Sequence, residues 1–159
     1  MAPADSAQIV SAAAAVVTSA VAIVAAKFAY LQIRSNAELA RENTALGAHR
    51  QLLCLCIERP ELSSSTLMLK HLMRSDFQDI LNDLNDESER ALWFASFVLN
   101  TVEQILESNP RDEFWKATMA AQIDYHRELL DEVWPEWREH YGPGMQTFVD
   151  HELGLPPPN

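Results

Sequence analysis

Few side chains in this 159-residue chain are spaced as a catalytic or metal-binding site requires. Four aspartates recur at intervals of three or four residues, which places them on one helix face where carboxylates could bind a cation: Asp76, Asp79, Asp83 and Asp86. Residues 79–89 contain no glycine, which a calcium-binding loop needs at its turn. A solvated acidic helix face is therefore the preferred interpretation.

Histidine and cysteine give no stronger signal. His126 and His140 belong to no His-Glu-x-x-His motif, and Cys54 and Cys56 lack the second ligand pair of a zinc site. No glycine-rich phosphate loop or nucleophile elbow occurs. We therefore expect no catalytic residues, no metal and no cofactor. A membrane-tethered enzyme is the least favoured alternative, because its pocket would be visible only in coordinates.

An apolar segment near the N-terminus is the most informative feature of the chain. Residues 9–26 carry no charge, and apolar residues continue past Lys27, whose side chain can reach the lipid headgroups. A helix of about 20 residues crosses the hydrocarbon core of a bilayer, so we predict a short tail over residues 1–8 and a transmembrane helix over residues 9–33. A buried helix of a soluble protein is the alternative, because alanine contributes little to membrane insertion.

The flanking charges predict the orientation of this span. Asp5 is the single charged residue before it, whereas residues 27–57 carry four basic and two acidic side chains. The positive-inside rule then places the N-terminus outside and the C-terminal domain in the cytoplasm, with the span in the inner membrane. A signal peptide is disfavoured because no basic segment precedes the apolar run.

Small residues line one side of the predicted span. At spacings of four, four, three and four residues, they form a candidate helix-contact face: Ser11, Ala15, Ser19, Ala22 and Ala26. Such faces allow close approach of another transmembrane helix, although an alanine-rich run also produces this spacing by chance. The expected partners are helices of other membrane proteins or other copies of the chain, together with the lipid bilayer.

The remaining sequence predicts an all-α fold, in which the transmembrane helix continues into a cytoplasmic bundle of about four to five helices. No useful period-two apolar run occurs. The acidic helical domain spans residues 34–154, and residues 155–159 form a disordered tail. The first helix should end before Pro60, and Ser63 to Ser65 should cap a second helix that reaches Leu84.

Capping residues and prolines predict the later helix ends. Asp86 and Glu89 form a capping box for the third helix. Asn109 and Pro110 should begin the fourth helix, which Pro135 should end, with a short fifth helix following up to Tyr141. The last helix, over residues 145–153, should stop at Gly154.

The domain is strongly acidic and rich in tryptophan. Residues 58–159 contain 20 acidic and 8 basic side chains, a net charge of −12, which disfavours nucleic acid as a partner. Trp93 and Trp115 lie on apolar stripes and are assigned to the core. Trp134 and Trp137 flank a predicted helix break, and with Tyr141 they form the candidate partner surface.

Several segments together resemble a loosely defined group of proteins. They are Leu31-Gln-Ile-Arg34 after the span, a helix containing Glu and Arg, Trp134-Pro-Glu-Trp-Arg-Glu-His-Tyr141 and Phe148-Val-Asp150. The chain resembles uncharacterised bacterial single-pass membrane-anchored helical proteins, which are grouped as domains of unknown function. The resemblance implies a bacterial origin and an all-helical cytosolic domain, and it supplies no catalytic residues.

Two functions are compatible with these features. The first is a non-catalytic accessory or structural subunit of a larger bacterial membrane complex, which acts through protein–protein interaction. The second is a self-assembling membrane effector in stress or phage response. The first is favoured because an accessory role demands the fewest special residues.

Overall fold

The computed structural model has an all-α fold, as the sequence predicts. It describes residues 3–82 and 85–156, with the side chains of residue 11 and of residues 16 onward. Within these ranges there is no strand. Seven α-helices are present: α1 (Pro3–Glu58), α2 (Ser65–Leu72), α3 (Phe77–Asn82), α4 (Asp86–Ser108), α5 (Glu113–Tyr125), α6 (Arg127–Trp137) and α7 (Pro143–Leu153). Two 3₁₀ helices, Pro60–Leu62 and Arg138–His140, lie between them.

The chain divides into two compact units, residues 1–40 and residues 41–159. The first unit is helical from Pro3, so α1 includes residues 3–8 of the predicted tail, and the boundary between tail and span stays a prediction. One helix is long and apolar enough to cross a membrane: from Val16 onward, α1 contains an 18-residue window with a mean hydropathy of 1.7. None of that window is buried, which argues against a soluble core helix. A signal sequence would meet the same criteria of length and composition.

The second unit has one hydrophobic core. The C-terminal part of α1 contributes Ala45, Ala48 and Leu52, which share one helix face because they are three and four residues apart. Helix α4 runs through the core with a row of buried residues: Ala91, Phe94, Ala95, Val98, Leu99, Val102 and Ile105. Helices α5 and α7 pack against α4, and α2 and α3 pack against α6.

Several helix ends confirm the predictions. Helix α1 ends at Glu58, directly before the Arg59-Pro60 step. The Ser64 hydroxyl accepts a hydrogen bond from the amide of Leu67 at 3.3 Å and caps α2. Helix α7 ends at Gly154, which adopts the left-handed conformation (φ 75°) that glycine tolerates best.

The predicted second helix is two helices, because the chain turns at Met73. This residue has φ 54° and ψ 38°, a left-handed conformation that the sequence does not reveal because glycine usually occupies it. The amide of Arg74 donates to the carbonyl of Leu69 at 3.1 Å, a bond that closes the end of α2. Leu84, the predicted end of the second helix, lies outside the described residues.

The predicted capping box is wrong by one position. The side chain of Asn85 accepts a hydrogen bond from the Ser88 amide at 3.1 Å, and the Ser88 hydroxyl accepts one from the Asn85 amide at 2.7 Å. Asp86 is therefore the first residue of α4, and its carboxylate lies in the first turn together with that of Glu89.

The predicted boundaries of the fourth helix are also wrong. Helix α5 begins at Glu113, because Asp112 accepts hydrogen bonds from the amides of Phe114 and Trp115 at 2.9 and 3.3 Å. Pro135 lies inside α6, close enough to its end that few backbone hydrogen bonds are affected. The break falls instead at His126, whose amide donates to the carbonyl of Ile123 at 3.1 Å.

Candidate functional site

An open groove of about 480 Å³ lies between α4 and the end of α6 together with the segment that follows it. Helix α4 supplies residues at intervals of three, one, three and four, so their side chains share one face. This wall consists of Glu89, Leu92, Trp93, Ser96 and Asn100, and the opposite wall consists of Trp137, His140 and Tyr141. We call these eight residues the aromatic groove.

Trp93 is the most exposed aromatic side chain of the groove. Its relative exposure is 68%, and its indole nitrogen donates a hydrogen bond to Oε1 of Glu89 at 3.3 Å. The two residues are four apart on α4, so a single helix turn sets their relative position. A large apolar ring is thus held beside a carboxylate at the protein surface.

A buried polar cluster holds the opposite wall in place. The indole nitrogen of Trp134 donates to Oδ1 of Asp150 at 2.8 Å, and the guanidinium of Arg138 donates to both oxygens of the same carboxylate at 2.8 to 3.1 Å. These bonds, together with burial of the Trp134 ring, connect the end of α6 to α7. The hydrogen bonds from Arg138 hold the pKa of Asp150 below its ordinary value.

Tyr141 lies at the base of the groove. Its ring packs against that of Trp134 with a centroid distance of 5.6 Å, and it lines the groove together with Ser96 of the α4 wall. Burial raises the pKa of the Tyr141 hydroxyl. The next residue, Gly142, donates its amide to Oε1 of Glu103 at 2.7 Å, which links this segment to α4.

This arrangement suits binding of a positively charged group. Aromatic faces attract cations, and a neighbouring carboxylate adds an opposite charge. The groove contains no nucleophile with a base in hydrogen-bonding position among the described contacts. Across the part of the chain that the structure describes, no group of three or more His, Cys, Asp or Glu side chains could hold a metal ion.

The prediction of a partner surface is partly wrong. Trp134 has no exposed surface and Tyr141 is also buried, because both rings pack into the core and Trp134 needs a buried acceptor for its indole nitrogen. Trp137 is half-buried and lines the aromatic groove, where its role as a contact residue stays a prediction. The core assignment is confirmed for Trp115 and wrong for Trp93.

The other residues singled out from the sequence do not form a site. Asp76 accepts a hydrogen bond from the amide of Asp79 at 2.9 Å and so caps α3, whereas Asp83 lies outside the described residues. His126 is fully buried, with its ring nitrogens 3.0 and 3.3 Å from the carbonyls of Gln122 and Leu62. Cys54 and Cys56 are free thiols.

The small-residue face of α1 is exposed where its side chains are described. This applies to Ser11, Ser19, Ala22 and Ala26. The side chain of Ala15 lies outside the described part of the structure. The use of this small-residue face as a helix-contact face stays a prediction.

A second groove, of about 560 Å³, lies between α4, α5 and α7. Leu106, Met145 and Phe148 give it an apolar floor, and Lys116 and Glu107 stand at its edge. Sequence reasoning did not single out either groove, because each combines residues from distant segments. The exposure of Trp93 also has no local signal, since it lies among apolar neighbours along α4.

Comparisons with known proteins identify no relative. No family model, curated protein or solved structure matches the chain.

Proposed function

We propose that the protein is a non-catalytic, membrane-anchored interaction subunit whose helical domain binds a basic segment of a partner protein in the aromatic groove. The observation that carries this proposal is the exposed indole of Trp93 beside Glu89, opposite Trp137 and Tyr141. An arginine or lysine side chain placed there would contact aromatic faces and a carboxylate together. A cation over an aromatic ring contributes about 0.5–2 kcal/mol, depending on how well water is excluded.

The charge of the domain supports a basic partner. Residues 58–159 carry a net charge of −12, which attracts cationic segments over a distance and repels acidic ones. The same charge holds the domain away from anionic lipid headgroups. A basic segment of another membrane protein therefore fits the groove better than a lipid surface does.

Anchoring through residues 9–33 would tether the domain to a membrane. We infer from the positive-inside rule that the domain is in the cytoplasm and the span in the inner membrane. Protease added to spheroplasts should then leave the domain intact, and should cut it only after the cells are lysed. Cleavage in intact spheroplasts would contradict the orientation without contradicting groove binding.

The groove is tested with peptides of defined charge and the full-length protein in mild detergent. Nine-residue peptides that alternate Gly with Arg, Lys, Glu or Ser are titrated, and binding is followed by calorimetry. We expect the Arg peptide to bind most tightly, with affinity falling about five- to tenfold in Trp93→Ala, as loss of one cation–π contact predicts. Glu89→Gln should weaken binding of the Arg and Lys peptides alone.

Phe114→Ala is the matched control, because Phe114 is an aromatic residue of similar exposure, 72%, that does not line the aromatic groove. Equal binding of Arg, Glu and Ser peptides, or equal losses in Trp93→Ala and Phe114→Ala, would overturn the proposed specificity. Co-purification of the natively expressed protein then identifies the natural partner, which Trp93→Ala should lose and Phe114→Ala should keep.

A further inference from the structure

Helix α1 has an apolar face that its own domain does not cover. Ala45, Ala48 and Leu52 turn toward the core and are almost fully buried. About half a turn away around the helix lie Asn43, Leu46, Arg50, Leu53 and Ile57, all exposed. We call these five residues the leucine stripe. The exposed fractions of Leu46, Leu53 and Ile57 are 48%, 44% and 78%.

The spacing of the leucine stripe is that of a coiled coil. Leu46 and Leu53 are seven residues apart and occupy the d positions of a heptad repeat, while Asn43, Arg50 and Ile57 occupy the a positions. Leu39, seven residues before Leu46, continues the d series in the sequence, and Asn36 then continues the a series. Leucine at d is typical of two-stranded coiled coils, whereas the polar a residues Asn36, Asn43 and Arg50 lower the stability of the pair and restrict which partners fit.

We propose that the leucine stripe joins α1 to α1 of a second copy of this chain in a parallel dimer. An identical helix in register brings Leu46 against Leu46 and Leu53 against Leu53. It also pairs the two Asn43 amides, which can hydrogen bond to each other. A shift by one heptad would place Ile57 against Arg50 and leave one leucine pair fewer among Leu39, Leu46 and Leu53, so the unshifted register is preferred.

Charge favours this face over other surfaces as the contact between copies. Two domains that each carry a net charge of −12 over residues 58–159 repel one another. Residues 41–57 contain Arg41, Arg50 and Glu42 as their charged side chains, a net charge of +1. The leucine stripe itself contains no acidic side chain, so contact through it brings no carboxylates of the stripe together.

Anchoring by residues 9–33 would reinforce the same geometry. A single span inserts every copy in the same direction, so the stripes of neighbouring copies run parallel. Confinement to one membrane also raises their effective concentration. Arg50 at an a position weakens the core of the coiled coil, so the dimer is reversible and depends on this concentration.

Cysteine cross-linking in native membranes tests the inference at single residues. In a Cys54→Ser, Cys56→Ser background, Leu46→Cys and Leu53→Cys should each form a disulfide-linked dimer on mild oxidation, because identical d positions face each other. Gln51→Cys is the matched control. It is exposed on α1 but lies away from the leucine stripe, and it should cross-link at least tenfold less.

Equal cross-linking at all three positions would show random collision and overturn the dimer. Cross-linking only between Leu46→Cys and Leu53→Cys copies would show antiparallel helices, which contradicts the proposed register. Absence of cross-linking at both stripe positions would also overturn it.

Sedimentation of the full-length protein in detergent gives an independent measurement. Wild type should change from monomer to dimer with increasing concentration, and Leu46→Glu should shift this transition to at least tenfold higher concentration. Its urea midpoint should stay close to that of wild type, because Leu46 is not a core residue. A wild type that is monomeric in detergent and not cross-linked in membranes refutes the dimer, whatever the peptide titrations show for the aromatic groove.

Discussion

Replacing Met73 with glycine should stabilise the protein. A non-glycine residue in the left-handed conformation costs about 1–2 kcal/mol, because its Cβ approaches a backbone oxygen. Glycine removes that cost, but it also gives the unfolded chain more freedom, which costs about 0.5–1 kcal/mol. The Met73 side chain is 91% exposed, so its removal sacrifices little packing. The expected net gain in unfolding free energy is about 0.5–1 kcal/mol.

Urea unfolding of the full-length protein in detergent, followed by tryptophan fluorescence, measures this gain. With a typical slope of about 2 kcal/mol per molar urea, the midpoint should rise by about 0.3–0.5 M. Met73→Ala is the control, because it removes the same side chain and keeps the left-handed strain. If the glycine variant is no more stable than the alanine variant, the turn between α2 and α3 does not have the conformation described.

Three further predictions concern the buried residues of the domain. Burial lowers the pKa of His126 in the folded protein, so the contribution of this residue to stability should be fully present above about pH 6.5 and decline as the pH falls below it. Urea titrations at several pH values should show that the unfolding midpoint of His126→Gln depends less on pH than that of wild type. Asp150 has a lowered pKa, so its contribution to stability is present above about pH 3.9 and is lost as the pH falls through its folded pKa. Asp150→Asn should therefore unfold at a lower urea concentration than wild type near neutral pH, and this difference should shrink in acid. Leu52→Ala should lower the unfolding free energy by about 2–5 kcal/mol, because the side chain is fully buried, whereas Phe114→Ala should change it by about 0.5 kcal/mol or less. Similar urea midpoints for the two variants would contradict the assignment of α1 to the core.

Helix periodicity predicted the all-α fold because each core helix has apolar residues at intervals of three and four. The boundaries that depend on a proline or on a serine cap were predicted well at Pro60 and Ser64. The break at Met73 was missed because methionine carries no local signal for a left-handed turn. The break at His126 was missed because histidine carries no local signal for a helix break, and its contact with Leu62, 64 residues away in the chain, is not apparent from sequence.

The aromatic residues show why a binding site is harder to predict than a helix. Trp93 and Trp134 both lie in apolar helical segments, yet one is exposed and the other buried. The difference arises from Asp150, which gives the Trp134 indole a buried acceptor, whereas Trp93 finds its acceptor at the surface on its own helix. Spacing could indicate Glu89, four residues before Trp93 on α4, but not Asp150, which lies on a different helix from Trp134.

The link between α6 and α7 has a consequence for biosynthesis. Trp134 and Arg138 obtain their carboxylate partner only from Asp150, and Met145 and Val149 of the same helix complete the core. The ribosome makes these residues after the other core residues of the described domain and after the apolar helix α1. The core therefore cannot close until α7 has left the ribosome. Until then the exposed apolar faces of α4 and α6 would be substrates for chaperones.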